Sequence, residues 1–152
     1  MAVAVGSPAP QFELYDQDRN LVSDASFRGR KALVVFIPFP FTGICDGESC
    51  LIRDNLAGLS DLGAGAVIIT THAVSTNKHW AEENSFDFPV LSDYWPHGEV
   101  AREYGTFSEK GGVAYRSTFV LDETGVVRDI IATDSIGVAR EFEAYTAALA
   151  GF

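Results

Sequence analysis

The sequence predicts an α/β fold in which a central mixed β-sheet is flanked by helices and preceded by an N-terminal β-hairpin. Two apolar runs without polar alternation, 32–37 and 66–70, indicate strands buried on both faces, and the helical pattern between them makes the strands parallel. A second hairpin over 118–131 precedes a helical pattern over 138–149. A parallel pair followed by an antiparallel pair requires a mixed sheet.

Length and charge restrict the class of protein. The 152 residues match one domain, so we expect a single domain over residues 1–152. Acidic residues outnumber basic ones by 21 to 11, which argues against nucleic acid and anionic membranes as partners. The longest uncharged apolar run, 32–41, is about half of the roughly 20 residues that a membrane span needs. The first ten residues lack the features of a secretory signal, so we expect a cytoplasmic protein.

The first elements are a hairpin and a buried strand. Alternating segments 11–15 and 21–23, separated by turn-forming residues, predict the N-terminal hairpin at the margin of the sheet. The strand over 32–37 must end before Pro38 and Pro40, because proline cannot donate to a β-ladder.

The next elements continue the α/β alternation. Helical spacing predicts a helix over Cys45–Leu56, and the apolar run 66–70 predicts the next strand. A further helix runs through Asn84, with Ser75 or Thr76 as its predicted N-cap.

An irregular section then leads to the terminal hairpin. It holds a short strand at 90–91 and a short helix over 98–104, and after it come the hairpin 118–131 and the closing helix 138–149. This order of elements is the thioredoxin-like arrangement. In open α/β sheets the loops after the carboxyl ends of the strands carry the site, which directs attention to residues 38–45.

Cys45 lies in the predicted first turn of a helix. The free N–H groups and the positive end of the helix dipole favour an anion there, and both effects favour a reactive thiolate. The alternative interpretation is that Cys45 is a small buried hydrophobic residue, which is common for free cysteines.

The residues around Cys45 form a pattern known from one family. Segment 38–45 contains Pro-x-x-x-Thr-x-x-Cys, which resembles the active-site signature of peroxiredoxins, and Arg116 before a buried strand resembles that family's second element. Segments 41–48 and 92–98 are most similar to AhpE-type peroxiredoxins of actinobacteria. The resemblance covers nearly the whole chain and implies the peroxiredoxin variant of the thioredoxin-like fold.

The resemblance also implies roles for individual side chains. Cys45 would be the peroxidatic nucleophile, and the Thr42 hydroxyl would hydrogen-bond the thiolate and the peroxide. Arg116 would stabilise the thiolate and the transition state, and Pro38 would shield the pocket. Glu48 would orient Arg116; alternatively, it is a first-turn acid that complements the helix dipole.

Cys50 departs from the one-cysteine AhpE pattern. The Cys45-x4-Cys50 spacing resembles the BCP/PrxQ group, in which a second cysteine resolves the sulfenic acid. In an intact α-helix the two Cα atoms are roughly 8.7 Å apart. A disulfide needs about 4.4–6.8 Å, so the first turn would have to unwind. The alternative is that Cys50 is a core residue.

The sequence therefore predicts a thiol-dependent peroxidase for hydrogen peroxide or organic hydroperoxides. We expect a protein reductant similar to mycoredoxin or thioredoxin, or a low-molecular-weight thiol, and a homodimer through the edge near the active site. We expect neither a cofactor nor a metal, because the three histidines lack ligand spacing. Two alternatives stay open: a peroxide-sensing redox relay, and a general thiol–disulfide oxidoreductase, which the absence of Cys-x-x-Cys disfavours.

Overall fold

A computed structural model gives the structure of residues 3–133 and 135–152, so Met1, Ala2 and Asp134 lie outside the described residues. The bounds of the helices and strands, in chain order, are β1 Glu13–Tyr15, β2 Leu21–Ser23, β3 Lys31–Phe36, α1 Gly43–Asp54, α2 Leu56–Asp61, β4 Ala64–Thr70, α3 Val74–Asn84, β5 Val90–Ser92, α4 Glu99–Glu103, β6 Phe107–Ser108, β7 Val113–Ala114, β8 Ser117–Leu121, β9 Val127–Ala132 and α5 Phe142–Ala150.

Seven of the strands form one mixed sheet, in the order β2-β1-β5-β4-β3-β8-β9. Strands β3, β4 and β5 are parallel, whereas β1, β2, β8 and β9 join antiparallel to their neighbours. Strand β3 lies between β4 and β8, so Val34 pairs with Val67 on one side and with Phe119 on the other. The predicted mixed sheet and both predicted hairpins are confirmed.

The core has two halves, one on each face of the sheet. Side chains of β3 alternate between them: Leu33 and Val35 pack with residues of α1, α3 and α5, and Val34 and Phe36 pack with Tyr104 and other residues of the opposite face. All four β3 side chains are fully buried, and each burial contributes about 1.5–3 kcal/mol to folding. The uninterrupted apolar run of this strand reflects the helices and loops that cover both faces.

Several predicted helix boundaries were wrong. Helix α1 begins two residues earlier than predicted, at Gly43, and ends at Asp54, after which α2 follows as a separate helix. Helix α3 has Ala73 at its N-cap position, so neither Ser75 nor Thr76 is the N-cap. The short β6–β7 ribbon lies in the section that we expected to be irregular.

The closing helix starts at Phe142 rather than at residue 138. The reason is the position of Arg140, whose backbone N–H donates to the buried carboxylate of Glu48 instead of joining a helix. Glu141 then takes an extended conformation, with φ −83° and ψ 126°, and serves as the N-cap residue of α5.

The topology brings two distant segments of the chain to one edge of the sheet. Because β8 runs antiparallel to β3, Ser117 at its start pairs with Phe36 at the end of β3. Arg116, which directly precedes β8, is therefore placed beside the loop that connects β3 to α1. That loop carries the proline, threonine and cysteine pattern of the sequence.

Candidate active site

Cys45 is the third residue of α1, and its side chain is fully buried. Pro38 and Pro40 end β3, and Thr42 takes the extended N-cap conformation, with φ −117° and ψ 149°. The first N–H groups of a helix have no partner within the helix, and they give this end a partial positive charge. The backbone N–H of Phe39 also donates to Cys45 Sγ, at 3.4 Å. The sulfur therefore lies in a buried site that favours negative charge.

Arg116 supplies a full positive charge to the same site. Its Nη1 donates to Cys45 Sγ at 3.1 Å and to Oε1 of Glu48 at 2.6 Å, and its Nε donates to the carbonyl of Ile136 at 2.5 Å. The Arg116 side chain is only 2% exposed, so water screens its charge weakly. These contacts fix the guanidinium in one orientation against the sulfur.

Glu48 lies between two arginines. Its carboxylate accepts from Arg116 on one side and from three groups of Arg140 on the other. Burial alone would raise the pKa of Glu48, but hydrogen bonds and charge from Arg140, together with the charge of Arg116, hold it below its ordinary value. Glu48 is therefore ionised, and the three groups carry one net positive charge next to Cys45.

Arg140 is a site residue that the sequence analysis missed. Its Nη1 donates to the carbonyl of Phe36 at 2.9 Å and to Oγ1 of Thr118 at 3.1 Å, and Thr118 in turn pairs with the Tyr145 hydroxyl at 2.8 Å. Burial raises the pKa of Tyr145, so that phenol stays neutral and can donate a hydrogen bond. No local pattern marks Arg140, because its partners belong to other elements.

The structure gives Thr42 a different bond from the predicted one. Its hydroxyl donates to the carbonyl of Phe39 at 2.6 Å, whereas the predicted partner was the Cys45 sulfur. This bond holds the carbonyl of Phe39, the residue whose N–H faces Cys45. Pro38 is buried two residues after the end of β3, and its role in shielding the pocket stays a prediction.

Cys50 lies in the same uninterrupted helix as Cys45, and both cysteines are free thiols. The Cys50 side chain is half-buried against the core face that contains α3, and its thiol donates to Oδ1 of Asn84 at 3.7 Å. At helical spacing Cys45 and Cys50 are about 8.7 Å apart between Cα atoms, too far for a disulfide.

Two further observations bear on the class of site. Within the described residues, no cluster of three or more histidine, cysteine, aspartate or glutamate side chains could hold a metal ion. Across the same part of the chain, none of the helices has the length and apolar character needed to cross a membrane. The site itself presents a cysteine sulfur that is contacted by an arginine and by one backbone N–H group.

Comparisons with known proteins agree with this arrangement. The model of the AhpC/TSA family matches residues 5–130. Alkyl hydroperoxide reductase E of Mycobacterium tuberculosis is 43% identical over 147 residues, which cover 96% of this chain and 95% of the relative. A protein named putative peroxiredoxin bcp, from Haemophilus influenzae, is 31% identical over 134 residues, or 84% of this chain and 85% of the relative.

Solved structures give the same result. Peroxidoxin BcpB of Mycobacterium tuberculosis superposes with a TM-score of 0.83 at 29% identity, covering 97% of this chain and 95% of that one. AhpC of Enterococcus faecalis superposes with a TM-score of 0.88 at 24% identity, covering 99% and 92%, and at that identity it supports the fold alone. The predicted thioredoxin-like fold and the resemblance to AhpE-type proteins are confirmed. The chain belongs to the AhpC/TSA family of peroxiredoxins and is a thiol-dependent peroxidase.

Proposed function

We propose that Cys45 is the nucleophile through which this peroxidase attacks peroxides, and that Arg116 stabilises its negative charge. The observation that carries the proposal is the 3.1 Å contact between Arg116 Nη1 and Cys45 Sγ at the N-terminus of α1. A guanidinium stays protonated at physiological pH, so its proximity favours the thiolate over the thiol. Only the thiolate is nucleophilic enough for rapid reaction with a peroxide.

The first step forms an S–O bond and breaks the O–O bond. The Cys45 thiolate attacks the hydroxyl-bearing oxygen of the peroxide, and this oxygen becomes the hydroxyl of a sulfenic acid. The sulfur is oxidised by two electrons, and the second oxygen leaves with the electron pair of the broken bond. It takes a proton from solvent and departs as water or an alcohol. Arg116, with several donors in a planar fork, stabilises the charge that develops on this oxygen.

Thr42 and Pro38 shape the space in which the peroxide meets the sulfur. The proton of the Thr42 hydroxyl goes to the Phe39 carbonyl, so its oxygen is left as an acceptor for the O–H of a peroxide. The same bond holds the Phe39 N–H in place toward Cys45. Pro38, buried beside these groups, excludes water from the reacting atoms.

Glu48 and Arg140 act on the reaction through Arg116. The Glu48 carboxylate accepts from Nη1 of Arg116, and Arg140 holds that carboxylate from its other side. Glu48 thereby fixes the guanidinium, and Arg140 compensates the negative charge that Glu48 would otherwise add near the thiolate. Because α1 begins at Gly43, Glu48 is its sixth residue, and the acidic residue of the first turn is Asp46. The alternative interpretation of Glu48 as a first-turn acid is therefore wrong.

Two external thiols complete the cycle. The first condenses with the sulfenic acid to a mixed disulfide and releases water, and the second thiol attacks that disulfide and restores Cys45. The intact helix between Cys45 and Cys50 favours this route over an internal disulfide, which requires α1 to unwind. We propose a mycoredoxin-like or thioredoxin-like protein, or a low-molecular-weight thiol, as the cytoplasmic reductant.

We also propose a homodimer that uses the edge of the molecule near the site. Large aromatic side chains are exposed after β5, where Trp95 is 81% exposed and Tyr94 is 54% exposed. Exposed aromatic side chains are enriched at protein–protein interfaces. Light scattering after size-exclusion chromatography measures the mass directly, and a monomer at micromolar concentration would contradict this assignment.

Intact mass after one equivalent of hydrogen peroxide tests the proposed chemistry. A sulfenic acid adds about 16 Da, whereas an internal disulfide removes about 2 Da. We expect the mass gain of the sulfenic acid in the wild type and in Cys50→Ser. We expect no rapid reaction with peroxide in Cys45→Ser. If Cys45→Ser consumes peroxide with wild-type second-order kinetics, Cys45 is not the nucleophile. A loss of 2 Da in the wild type alone would instead establish Cys50 as the resolving cysteine.

A further inference from the structure

One carboxylate oxygen, Oδ1 of Asp46, joins three segments of the structure. It accepts from the backbone N–H of Phe41 at 3.1 Å and from the indole Nε1–H of Trp80 at 2.8 Å. Asp46 directly follows Cys45 in the first turn of α1, Phe41 belongs to the preceding loop, and Trp80 is a fully buried residue of α3. The first turn of α1 is thus connected both to its own loop and to a neighbouring helix.

The bond to Phe41 occurs where the backbone is strained. Phe41 has φ +67°, a left-handed conformation that is rare for a bulky residue and costs of order 1–3 kcal/mol. Two other residues of the same loop make the contacts that shape the sulfur site: the Phe39 N–H faces Cys45, and the Thr42 hydroxyl holds the Phe39 carbonyl. If Phe41 relaxed to an ordinary conformation, this loop would change its path, and the Phe39 donor would move away from the sulfur.

We propose that Asp46 is a positioning residue for peroxide reduction: by accepting from Phe41 and Trp80, it holds the loop of residues 39–42 in the conformation that directs the Phe39 N–H at Cys45. The proposal rests on the assignment of Cys45 as the nucleophile. Asp46 acts here as a hydrogen-bond acceptor. This differs from the general effect of an acidic residue in a first turn, which stabilises a helix through charge.

Asparagine and leucine at position 46 separate these two effects. Asparagine keeps an acceptor oxygen in the same place and removes the charge, whereas leucine has a similar shape and removes both. We expect Asp46→Leu to lower the second-order rate constant for hydrogen peroxide about tenfold, through the loss of two hydrogen bonds. We expect Asp46→Asn to keep most of the wild-type rate constant. Asp61→Leu, at an exposed position in α2, is the matched control and keeps the wild-type rate.

The indole N–H resonances provide a readout that does not depend on activity. The chain has two tryptophans, of which Trp80 is fully buried and Trp95 is 81% exposed. In the reduced protein, the ¹H–¹⁵N signal of a Trp80 indole bonded to a carboxylate lies downfield. We expect Asp46→Leu to move this signal upfield, Asp46→Asn to leave it downfield, and the Trp95 signal to stay in place in both variants.

Several results would overturn the proposal. An unchanged Trp80 signal in Asp46→Leu means that the bond does not exist in solution. A lower melting temperature with an unchanged rate constant means that Asp46 is only structural. Equal loss of rate in the asparagine and leucine variants means that charge is what matters. Failure of the Cys45 assignment would be recognised separately, because Cys45→Ser would then keep peroxidase activity while the Trp80 signal still responded to Asp46→Leu.

Discussion

Arg140 makes three hydrogen bonds to the carboxylate of Glu48: its backbone N–H reaches Oε2 at 2.6 Å, Nε reaches Oε2 at 2.9 Å, and Nη2 reaches Oε1 at 2.9 Å. The Arg140 side chain is fully buried, and the Glu48 side chain is 4% exposed. The pair fixes the carboxylate that in turn holds Arg116 against Cys45. The charge state of the site is therefore set by three buried groups rather than by one arginine.

Breaking this pair from one side should destabilise the protein. Arg140→Met leaves the buried Glu48 carboxylate without its main partner, and we expect the free energy of unfolding in urea to fall by about 3–5 kcal/mol. The double variant Glu48→Gln with Arg140→Met removes the unpaired charge and should recover part of the loss. Equal stability of the wild type and Arg140→Met would show that the pair does not form in solution.

Arg116→Lys should lower activity strongly even though it keeps the charge. A lysine carries its donors on a single nitrogen, which cannot occupy both the Nε and the Nη1 positions of Arg116, so the group loses its fixed orientation. We expect the second-order rate constant for peroxide to fall at least about tenfold, measured by stopped-flow kinetics. Arg102→Lys, at an exposed surface ion pair, is the control. A wild-type rate in Arg116→Lys would remove this arginine from the reaction.

Thr42→Val tests the bond that holds the carbonyl of Phe39. Valine has nearly the same shape but lacks the hydroxyl that donates to the Phe39 carbonyl, so the N–H that faces Cys45 loses its support. We expect a loss of peroxide reactivity of about three- to tenfold. Thr42→Ser restores the hydroxyl and should recover most of the rate. If valine and serine behave alike, the hydroxyl has no part in the reaction.

Cys50→Ser should change what happens after the first oxidation only if Cys50 resolves the sulfenic acid. The intact α1 helix leads us to expect equal sensitivity of the wild type and Cys50→Ser to over-oxidation at excess peroxide. Mass spectrometry of the sulfinic acid measures this directly. Faster over-oxidation of Cys50→Ser, together with faster hydrogen exchange over residues 42–50 of oxidised wild type, would show that the helix unwinds and the cysteines pair.

Stability should depend on pH through Asp93. This carboxyl is 1% exposed, and burial raises its pKa to about 6 although the N–H groups of Val100 and Ala101 oppose the shift. The folded state therefore binds the proton more tightly than the unfolded chain. The contribution of the Asp93 carboxyl to the free energy of unfolding is fully present below the ordinary pKa of 3.8. It is lost as the pH rises through about 6.

The measurement compares the wild type with Asp93→Asn. The difference in unfolding free energy, wild type minus variant, should fall by an amount on the order of 2 kcal/mol between about pH 4 and pH 7. Taking the difference removes the contributions of other titrating groups, such as Glu48, that are common to both proteins. A constant difference across this range would mean that Asp93 keeps its ordinary pKa.

Local sequence was sufficient for the elements whose signal is contained in a short segment. The apolar run that became β3, the prolines after it and the spacing of Thr42 and Cys45 specify a buried strand, its end and a cysteine at a helix start. Arg116 was singled out by the resemblance of its segment to the second element of the peroxiredoxin pattern. The predicted helix boundaries that depend on distant contacts were wrong. The clearest case is α5, which begins later in the chain than predicted because Arg140 binds Glu48.

The sequence by itself determined the chain order of the main strands and helices and the burial of both faces of β3, because periodicity and proline act over a few residues. The prediction that Cys45 is the reactive cysteine came from the resemblance to peroxiredoxins. Only the tertiary structure decided which groups surround the sulfur. Arg140 reaches Glu48 from 92 positions away, and Trp80 reaches Asp46 from 34 positions away. Such contacts arise from the packing of α1 against α3 and against the segment before α5. No short-range pattern encodes them, because each partner satisfies its hydrogen bonds only once the sheet and its helices are assembled.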